Sequence, residues 1–329
     1  IYTRTLPIIP QPQSVQWQDD TLFFSNEYSL SWVTPSNLTQ NPMGKTIDEL
    51  LQQCRSDLFS SNSEKQKIIL RLTLVTATDS IFGGMEAYEL YINRQGLDIR
   101  ANSAAGLLYG AHSLRQLLYS HKSKGYLPCL EVLDYPSFPF RGVMDDISRG
   151  PLSNMDFLKK QIRRLSELKL NVFSFYIEHV VRTKSHPGFA PPDGLTVAQL
   201  QELSEYAARH HVQIMGSFQS LGHFRSILSQ PEFAHLGVSD RMLDPVAPAS
   251  RLFLEDIYDE LIPVSSHPIF NINCDETYDL ARGPRLKSLA DSIGEGGVYA
   301  HHVLPLLKYV RSQGKRPGLW GDVLLQHPD

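Results

Sequence analysis

Residues 142–177 read GVMDDISRGPLSNMDFLKKQIRRLSELKLNVFSFYI and contain the pattern of a strand, a helix and a second strand. Short apolar runs at 142–146 and 171–177 predict the two strands. The segment between them carries apolar residues at helical spacing: Leu158, Ile162 and Leu165. The pattern therefore predicts a β–α–β unit, in which the two strands are parallel.

The same alternation continues along the chain. Further apolar runs predict strands at 212–218, 268–274 and 316–322. Ser153 with Asp156 and Thr196 with Gln199 resemble capping boxes at the starts of helices, and a later helix is expected to stop at Gly314. Such alternation is typical of a barrel or a doubly wound sheet, and both bind ligands at the carboxyl ends of their strands.

The residues before this region predict a different architecture. Strands are expected at 67–75, 87–93 and 97–101, and helices at 46–58 and 104–119. The link at 93–96 ends in glycine, which suits a tight antiparallel hairpin. Pro136 and Pro139 interrupt regular structure after Asp134. We therefore predict a small α+β domain with an antiparallel sheet over residues 1–134 and an α/β domain over residues 135–329.

Composition excludes several classes of protein. The chain has 31 Lys and Arg against 35 Asp and Glu, a formal net charge of −4, which does not indicate a nucleic-acid binder. It has no apolar run long enough for a membrane-spanning helix. Its cysteines, Cys54, Cys129 and Cys274, are widely spaced and indicate neither a disulfide framework nor a zinc site.

Polar side chains cluster at the ends of the predicted parallel strands. They are Arg141, Asp145, Asp146 and Arg149; Tyr176, Glu178 and His179; Gln219, Gly222 and His223; Asp275 and Glu276; and Trp320 and Asp322. Core packing gives no reason for charges at these positions. Their convergence at one edge of a parallel sheet predicts a catalytic site.

Taken singly, these residues also have structural interpretations. Asp146 and Arg149 can form an ion pair, and Arg141 can pair with a neighbouring carboxylate. His223 can be a hydrogen-bonded structural residue, Asp275 or Glu276 can cap a helix, and Trp320 can belong to the core. The sequence alone leaves each of these alternatives open.

The consecutive carboxylates Asp275 and Glu276 narrow the chemistry. Glycosidases use an acid and a second carboxylate on opposite sides of the bond that is cleaved, and adjacent residues can hardly span it. The two are therefore better assigned different tasks. One would be the acid, and the other would assist a nucleophile that the substrate supplies. The 2-acetamido group of an N-acetylhexosamine can attack its own anomeric carbon, and a carboxylate can hold its N–H.

Several segments resemble glycoside hydrolase family 20, the β-N-acetylhexosaminidases. They are IIPQP at 8–12, AAGLLYG at 104–110, FRGVMDDISR at 140–149, INCDE at 272–276 and WGD at 320–322. The resemblance implies a (β/α)8 TIM barrel, of which about five strands are present, after the small domain. From 135 to 329 there are 195 residues, short of the roughly 250 of such a barrel, so we expect a C-terminally truncated barrel.

The resemblance also implies residue roles. Glu276 would be the general acid/base, and Asp275 would orient the acetamido N–H. His223 would lie near Glu276 and tune its acidity. The substrate-binding residues would be Arg141 on sugar hydroxyls, Glu178, Trp320 as a wall of the acetamido pocket, and Asp322. No cofactor and no metal are expected.

The chain departs from the family at 216–223. Most members have PExDxPGH, whereas this sequence reads GSFQSLGH, so two usual carboxylates are absent. The FQSLGH form, with Cys274 before the acidic pair and Thr277 and Tyr278 after it, resembles the hexosaminidase-D-like branch. Asn273 in place of a glycine is a further small change beside the site. The departure bears on the exact substrate more than on the reaction.

The predicted function is removal of terminal β-linked N-acetylhexosamine from oligosaccharides or glycoconjugates by a retaining, substrate-assisted mechanism. The alternatives are a non-catalytic carbohydrate-binding or structural remnant of such an enzyme, and a related hydrolase acting on protein-linked GlcNAc. We expect no nucleic-acid partner and no membrane span, and the oligomeric state is not predictable. Location outside the cytoplasm, secreted or periplasmic, is expected from the start at Ile1 and the family's substrates, with an intracellular location as the alternative.

Overall fold

The computed structural model describes residues 5–24, 28–59 and 66–327. The chain divides into a first compact unit, formed by 1–141, 162–171 and 208–212, and a second, formed by 142–161, 172–207 and 213–329. The first unit therefore includes short segments from beyond the predicted boundary at residue 134. Side chains on these segments join it directly: Ser166 bonds His112, and Glu167 pairs with Arg115.

Within the described residues, the first unit contains a sheet of six strands. They are β1 (Ser14–Phe23), β2 (Tyr28–Val33), β3 (Gln66–Leu74), β4 (Tyr88–Asn93), β5 (Gly96–Ala101) and β6 (Tyr126–Asp134), in the order β1-β6-β4-β5-β3-β2. The part β1-β6-β4-β5 is antiparallel, as predicted, and β3 and β2 extend it in parallel. The predicted hairpin is confirmed, since Asn93 pairs with Gly96.

Helices α1 (Pro42–Leu58) and α2 (Ala104–Ser120) also contribute to this unit's core. Alternate residues of β4 are buried, which is typical of a strand with one face against a core. The apolar face expected for α2 is confirmed. It consists of the buried residues Leu107, Leu108, Ala111, Leu114 and Leu118.

The second unit contains parallel strands in chain order. Its strands are β7 (Gly142–Asp146), β8 (Val172–Tyr176), β9 (Val181–Arg182), β10 (Leu195–Thr196), β11 (Gln213–Met215), β12 (Ile269–Asn271) and β13 (Arg316–Gly318). β7, β8 and β11 pair in parallel, as do β12 and β13, and a bridge between Ser217 and Asn271 joins the two groups. The strands predicted from the sequence thus lie side by side as in part of a (β/α) barrel.

The helices of this half of the chain follow the strands. They are α3 (Met155–Glu167), α4 (Val197–Arg209), α5 (Arg225–Leu228), α6 (Pro248–Val264), α7 (Gly283–Ser312) and α8 (Asp322–Gln326). The capping box of Thr196 and Gln199 is confirmed, because each side chain bonds the other's backbone N–H. α7 ends before Gly314, whose φ is 78°.

The capping box predicted from Ser153 and Asp156 is wrong. The side chain of Asn154, one residue later, accepts the N–H of Phe157 at 2.9 Å and caps α3. Asn and Ser cap helices about equally well, so the sequence alone does not separate adjacent candidates.

Among the described residues, no helix combines the length and the apolar character needed to cross a membrane.

Candidate active site

Strained backbone marks the carboxyl ends of β11 and β12. His223, Asn273, Cys274 and Glu276 have φ between 50° and 66°. Residues with side chains rarely adopt positive φ, and such residues cluster at functional sites. The loops that follow β11 and β12 therefore contain strained backbone, and this strain indicates that they position functional side chains.

The two loops lie against each other, and Gly222 permits the contact. A Cβ atom at this position would lie 2.6 Å from the backbone oxygen of Asp275 and 3.2 Å from that of Glu276. No larger residue fits without moving one of the loops. The close approach brings His223, the next residue, beside both carboxylates.

His223 lies among three carboxylates. Its Nε2 atom is 3.4 Å from Asp275 Oδ2 and 3.3 Å from Glu276 Oε2, while its Nδ1 atom is 3.6 Å from Glu178 Oε1. These distances are long for hydrogen bonds, as is common in catalytic sites without substrate. One imidazole thus links the adjacent carboxylates after β12 to the acidic residue after β8.

This arrangement shifts the pKa values of both partners. The contact with Asp275 raises the pKa of His223, in spite of burial, and the charges of Glu178 and Glu276 add to the effect. Burial of Asp275 opposes its ionisation, but the close contact with His223 and the hydrogen bond from Gln219 outweigh burial, and its pKa is lowered. Asp275 is therefore a carboxylate in this site, and His223 favours the cationic form.

Arg149 supplies positive charge from the carboxyl end of β7. Its guanidinium donates to Asp146 Oδ2 and to Glu178 Oε1, both at 3.0 Å, and lies 5.1 Å from the centre of the Tyr176 ring. The Asp146–Arg149 pair expected from the sequence is therefore present. The Arg149 side chain is nevertheless 57% exposed and remains accessible to a ligand.

Glu276 is the most accessible carboxylate of the cluster, with 55% of its side chain exposed. Its backbone N–H donates to Asp322 Oδ2 at 3.0 Å, and the other oxygen of Asp322 is buried. Trp320 is partly exposed, and its backbone N–H donates to the oxygen of Asn273. In the structure Asp322 thus fixes the backbone of Glu276. Contact of Trp320 or Asp322 with a substrate stays a prediction.

The structure shows the partners of Arg141, whose substrate-binding role stays a prediction. This residue precedes β7, at the amino end of the strand, whereas the carboxylates follow carboxyl ends. Its guanidinium forms a bidentate ion pair with Glu86, with N···O distances of 2.8 and 3.1 Å. It also donates hydrogen bonds to Phe138 O, Lys169 O and Tyr109 Oη. The side chain is 15% exposed. The alternative interpretation, pairing with a carboxylate, is the one that the structure supports.

Two residues of the cluster were assigned no catalytic or binding role from the sequence. Arg149 and Gln219 were noted only as polar residues at the carboxyl ends of predicted strands, and this position was the signal for them. Gln219 is fully buried and donates to Asp275 Oδ1 at 2.7 Å. The rule that chemistry lies at carboxyl ends therefore makes Arg149 a further candidate beside Arg141.

Negative charge predominates in the cluster. Glu178, Asp275, Glu276 and Asp322 are opposed by Arg149 and His223. Fixed negative charge stabilises a reacting group that becomes positive, because preorganised charges need no rearrangement during the reaction. The exposed carboxyl of Glu276 can exchange a proton with a bound molecule. The arrangement is suited to acid catalysis through a cationic transition state.

Both parts of the chain match models of one known family. Residues 5–135 match the family model described as glycosyl hydrolase family 20, domain 2, and residues 138–329 match glycosyl hydrolase family 20, catalytic domain. The chain belongs to glycosyl hydrolase family 20. The fold expected from the resemblance, a TIM barrel present in part after a small domain, is confirmed by solved structures of the family.

Individual relatives of this family 20 chain share limited identity with it. A beta-N-acetylhexosaminidase of Cellulomonas fimi is 28% identical over 256 residues, which cover 68% of this chain and 50% of the relative. The beta-hexosaminidase subunit B1 of Dictyostelium discoideum is 23% identical, covering 97% and 66%. The match covers 50% of the Cellulomonas fimi protein and 45% of the beta-hexosaminidase subunit A1 of Dictyostelium discoideum. The chain thus spans about half the length of these two curated relatives.

Solved structures show the fold of this family 20 chain. The Flavobacterium johnsoniae chitobiase has a TM-score of 0.79 at 22% identity, covering 97% of this chain and 53% of that one. The exo beta-N-acetylglucosaminidase of Vibrio harveyi, in complex with N-acetylglucosamine, has a TM-score of 0.78 at 22% identity, covering 99% and 56%.

Proposed function

We propose that this protein is a retaining exo-β-N-acetylhexosaminidase that removes terminal GlcNAc or GalNAc from glycans. The observation that carries the proposal is the pair of adjacent carboxylates, Asp275 and Glu276, held beside one imidazole. One of them is partly buried and ionised, and the other is exposed. This difference assigns separate tasks to two neighbours.

In the first step, the acetamido oxygen of the substrate attacks the anomeric carbon, and the bond to the leaving oxygen breaks. Glu276 donates its proton to that oxygen, because it is the accessible acid of the cluster. Asp275 accepts a hydrogen bond from the acetamido N–H and stabilises the positive charge of the oxazolinium ring that forms. The leaving alcohol departs with the proton from Glu276.

In the second step, water attacks the anomeric carbon from the side that the leaving group has vacated. The Glu276 carboxylate takes a proton from this water, and the acetamido group is restored. Two inversions at one carbon retain its configuration. His223, which lies between both carboxylates, holds positive charge near Glu276 while this residue is ionised.

Arg149 and Glu178 are the residues placed to bind sugar hydroxyls. Arg149 is exposed and can donate, and the carboxylate of Glu178 can accept. Their mutual pair at 3.0 Å holds both side chains in place before a substrate arrives, which lowers the entropy cost of binding.

The test is hydrolysis of aryl β-GlcNAc and aryl β-GalNAc by the full chain, with the anomer of the product followed by proton NMR. We expect the β-anomer to form first. We also expect a thiazoline mimic of the oxazoline to inhibit at micromolar concentration or below. Binding of GlcNAc without turnover would instead support the non-catalytic alternative, and initial release of the α-anomer would contradict participation of the acetamido group.

Location outside the cytoplasm is also a proposal, supported by the type of substrate alone. Detection of the protein in the medium or periplasm after fractionation of cells would support it, and recovery with cytoplasmic markers would contradict it.

A further inference from the structure

Gln219 lies in the segment GSFQSLGH at 216–223, the part of the chain that departs from the motif expected from the resemblance. It follows β11, and its side chain is fully buried. A buried amide needs partners for its N–H groups and its oxygen, since an unpaired group would cost about 1–3 kcal/mol. The partners of Gln219 therefore show what the residue does.

Both ends of the amide are used. Nε2 donates to Asp275 Oδ1 at 2.7 Å and to Tyr176 Oη at 3.0 Å. Oε1 accepts the backbone N–H of Cys274 and that of Ser220, both at 2.9 Å. The amide thus joins the end of β8, its own loop and the loop that carries Asp275 and Glu276.

The orientation of the amide follows from these contacts. Backbone N–H groups are donors, so the atom that faces Cys274 and Ser220 is the oxygen, and the atom that faces Asp275 is the NH2 group. An ionised glutamate at this position could accept the same two backbone bonds. It could donate nothing to Asp275, and two negative oxygens would lie about 3 Å apart unless they shared a proton.

We propose that Gln219 is a positioning residue that holds Asp275 ionised and in one orientation, and so maintains catalysis at neutral pH. The proposal rests on the proposed function, because it concerns the same carboxylate. With a glutamate at position 219, the two carboxyl groups would have to share one proton for Asp275 to face the substrate as a carboxylate. This proton is lost as pH rises. The amide donates at every pH.

Other titratable groups around Asp275 are left in place by the substitution. They are His223 and Glu178 on one side, Glu276 next in sequence, Tyr176 from β8, and Cys274, Tyr299 and Asp322 on the loops and helix beyond. His223 is the nearest cation and stays beside Asp275 Oδ2 in each variant. A change in pH dependence on substitution of Gln219 therefore reports the contact at Oδ1.

The test compares the pH profiles of kcat/KM for Gln219→Glu and Gln219→Leu in the full chain. Gln219→Glu should lose less than about threefold at pH 5 and about 10–100-fold at pH 8, because the shared proton is lost between these values. Gln219→Leu removes the donor, so the acidic limb should move up by about one pH unit. A Gln219→Glu profile parallel to that of the wild type would overturn the proposal.

Gln201 provides a matched control. Its Nε2 atom donates to Glu205 at 2.7 Å on the exposed face of α4, which is the same contact outside the site. Gln201→Glu creates a similar carboxylate pair in water and should leave the pH profile unchanged. An equal change in this control would show that the effect in Gln219→Glu is general, and would also overturn the proposal.

A second measurement separates this inference from the proposed function. The melting temperature of Gln219→Glu, relative to wild type, should be close to equal at pH 5 and lower at pH 8, whether or not the protein hydrolyses any glycoside. An inactive wild type with this stability profile refutes the proposed function alone. An active wild type whose Gln219→Glu variant has the same relative stability at both pH values refutes the inference alone.

Discussion

Two polar clusters, one in each compact unit, differ in how their charges are balanced. In the first unit, Glu86 accepts hydrogen bonds from Arg141, His211, Tyr109 and Asn171, and both Glu86 and Arg141 are 15% exposed. In the second unit, Glu178, Asp275 and Glu276 surround one histidine, and Glu276 is 55% exposed. The first cluster is compensated and closed, while the second has negative charge in excess and an accessible acid.

The difference shows how a structural polar network can be told from a catalytic one. Burial of charge is costly, so a network that only stabilises the fold pairs its charges and excludes water. A catalytic network keeps charge for a partner that arrives later. Strained backbone does not separate the two clusters, because His211 in the first and Asn273, Cys274 and Glu276 in the second all have positive φ. The predictions that follow test whether function and stability divide between the clusters in this way.

Glu276→Gln should produce the largest effect. The amide cannot donate a proton to the leaving oxygen, so kcat for an aryl β-GlcNAc should fall by about 10²–10⁴-fold. Because the side chain is half-exposed, the urea midpoint should stay near that of the wild type. Turnover within about threefold of the wild type would exclude Glu276 as the acid. A lower urea midpoint would show that the residue also has a structural role.

The sequence predicted the parts of the fold that follow a regular period. β7 was predicted with its observed bounds, and the hairpin at 93–96 was predicted from its final glycine. β1 and β6 were not predicted. β1 has an irregular register between Trp17 and Thr21, where Asp19 and Asp20 interrupt the apolar pattern, and β6 contains Pro128. A bulge and a proline weaken the period that identifies a strand, although β1 still pairs with β6, and β6 with both β1 and β4.

For the candidate site, the sequence predicted residue types at strand ends better than it predicted their partners. Asp275, Glu276, Glu178 and His223 lie together as the strand order implies. The partner of Arg141 could not be predicted, because Glu86 is 55 residues away in the sequence. Pairing between distant segments depends on tertiary structure, which a motif does not encode.

Asp134→Asn should produce the largest effect on stability. Asp134 pairs with Lys169 at 2.6 Å, and the two side chains are 8% and 7% exposed. Removing one charge leaves the other buried without compensation, which typically costs about 3–5 kcal/mol in the free energy of unfolding. Urea denaturation followed by circular dichroism measures this loss. The activity per folded molecule should be unchanged, and a selective loss of kcat would show that this pair also supports catalysis.

Acid should destabilise the first cluster through Glu86. Burial opposes ionisation of Glu86, but hydrogen bonds from His211 and Arg141 outweigh it and lower its pKa from 4.5 to about 2. Because the folded pKa is the lower one, this contribution is present above pH 4.5 and is lost as pH falls toward 2. The difference corresponds to about 3 kcal/mol. Unfolding free energies measured from pH 5 to 2 should decline less steeply in Glu86→Gln, and equal slopes would contradict this account.

The smallest predicted effects come from the arginines at the two ends of β7, and they separate the clusters most directly. Lysine keeps the charge but cannot reproduce a two-pronged pair. Arg141→Lys should therefore lower the free energy of unfolding by about 1–3 kcal/mol without changing kcat/KM, because its partners are Glu86 and backbone oxygens. Arg149→Lys should lower kcat/KM by about 10–100-fold while stability changes by less than about 0.5 kcal/mol, because the side chain is exposed. Each variant is the control for the other, since both make the same chemical change eight residues apart. The reverse result would be loss of activity in Arg141→Lys and loss of stability in Arg149→Lys. It would support the substrate-binding role predicted for Arg141 and would show that the amino end of β7 also belongs to the site.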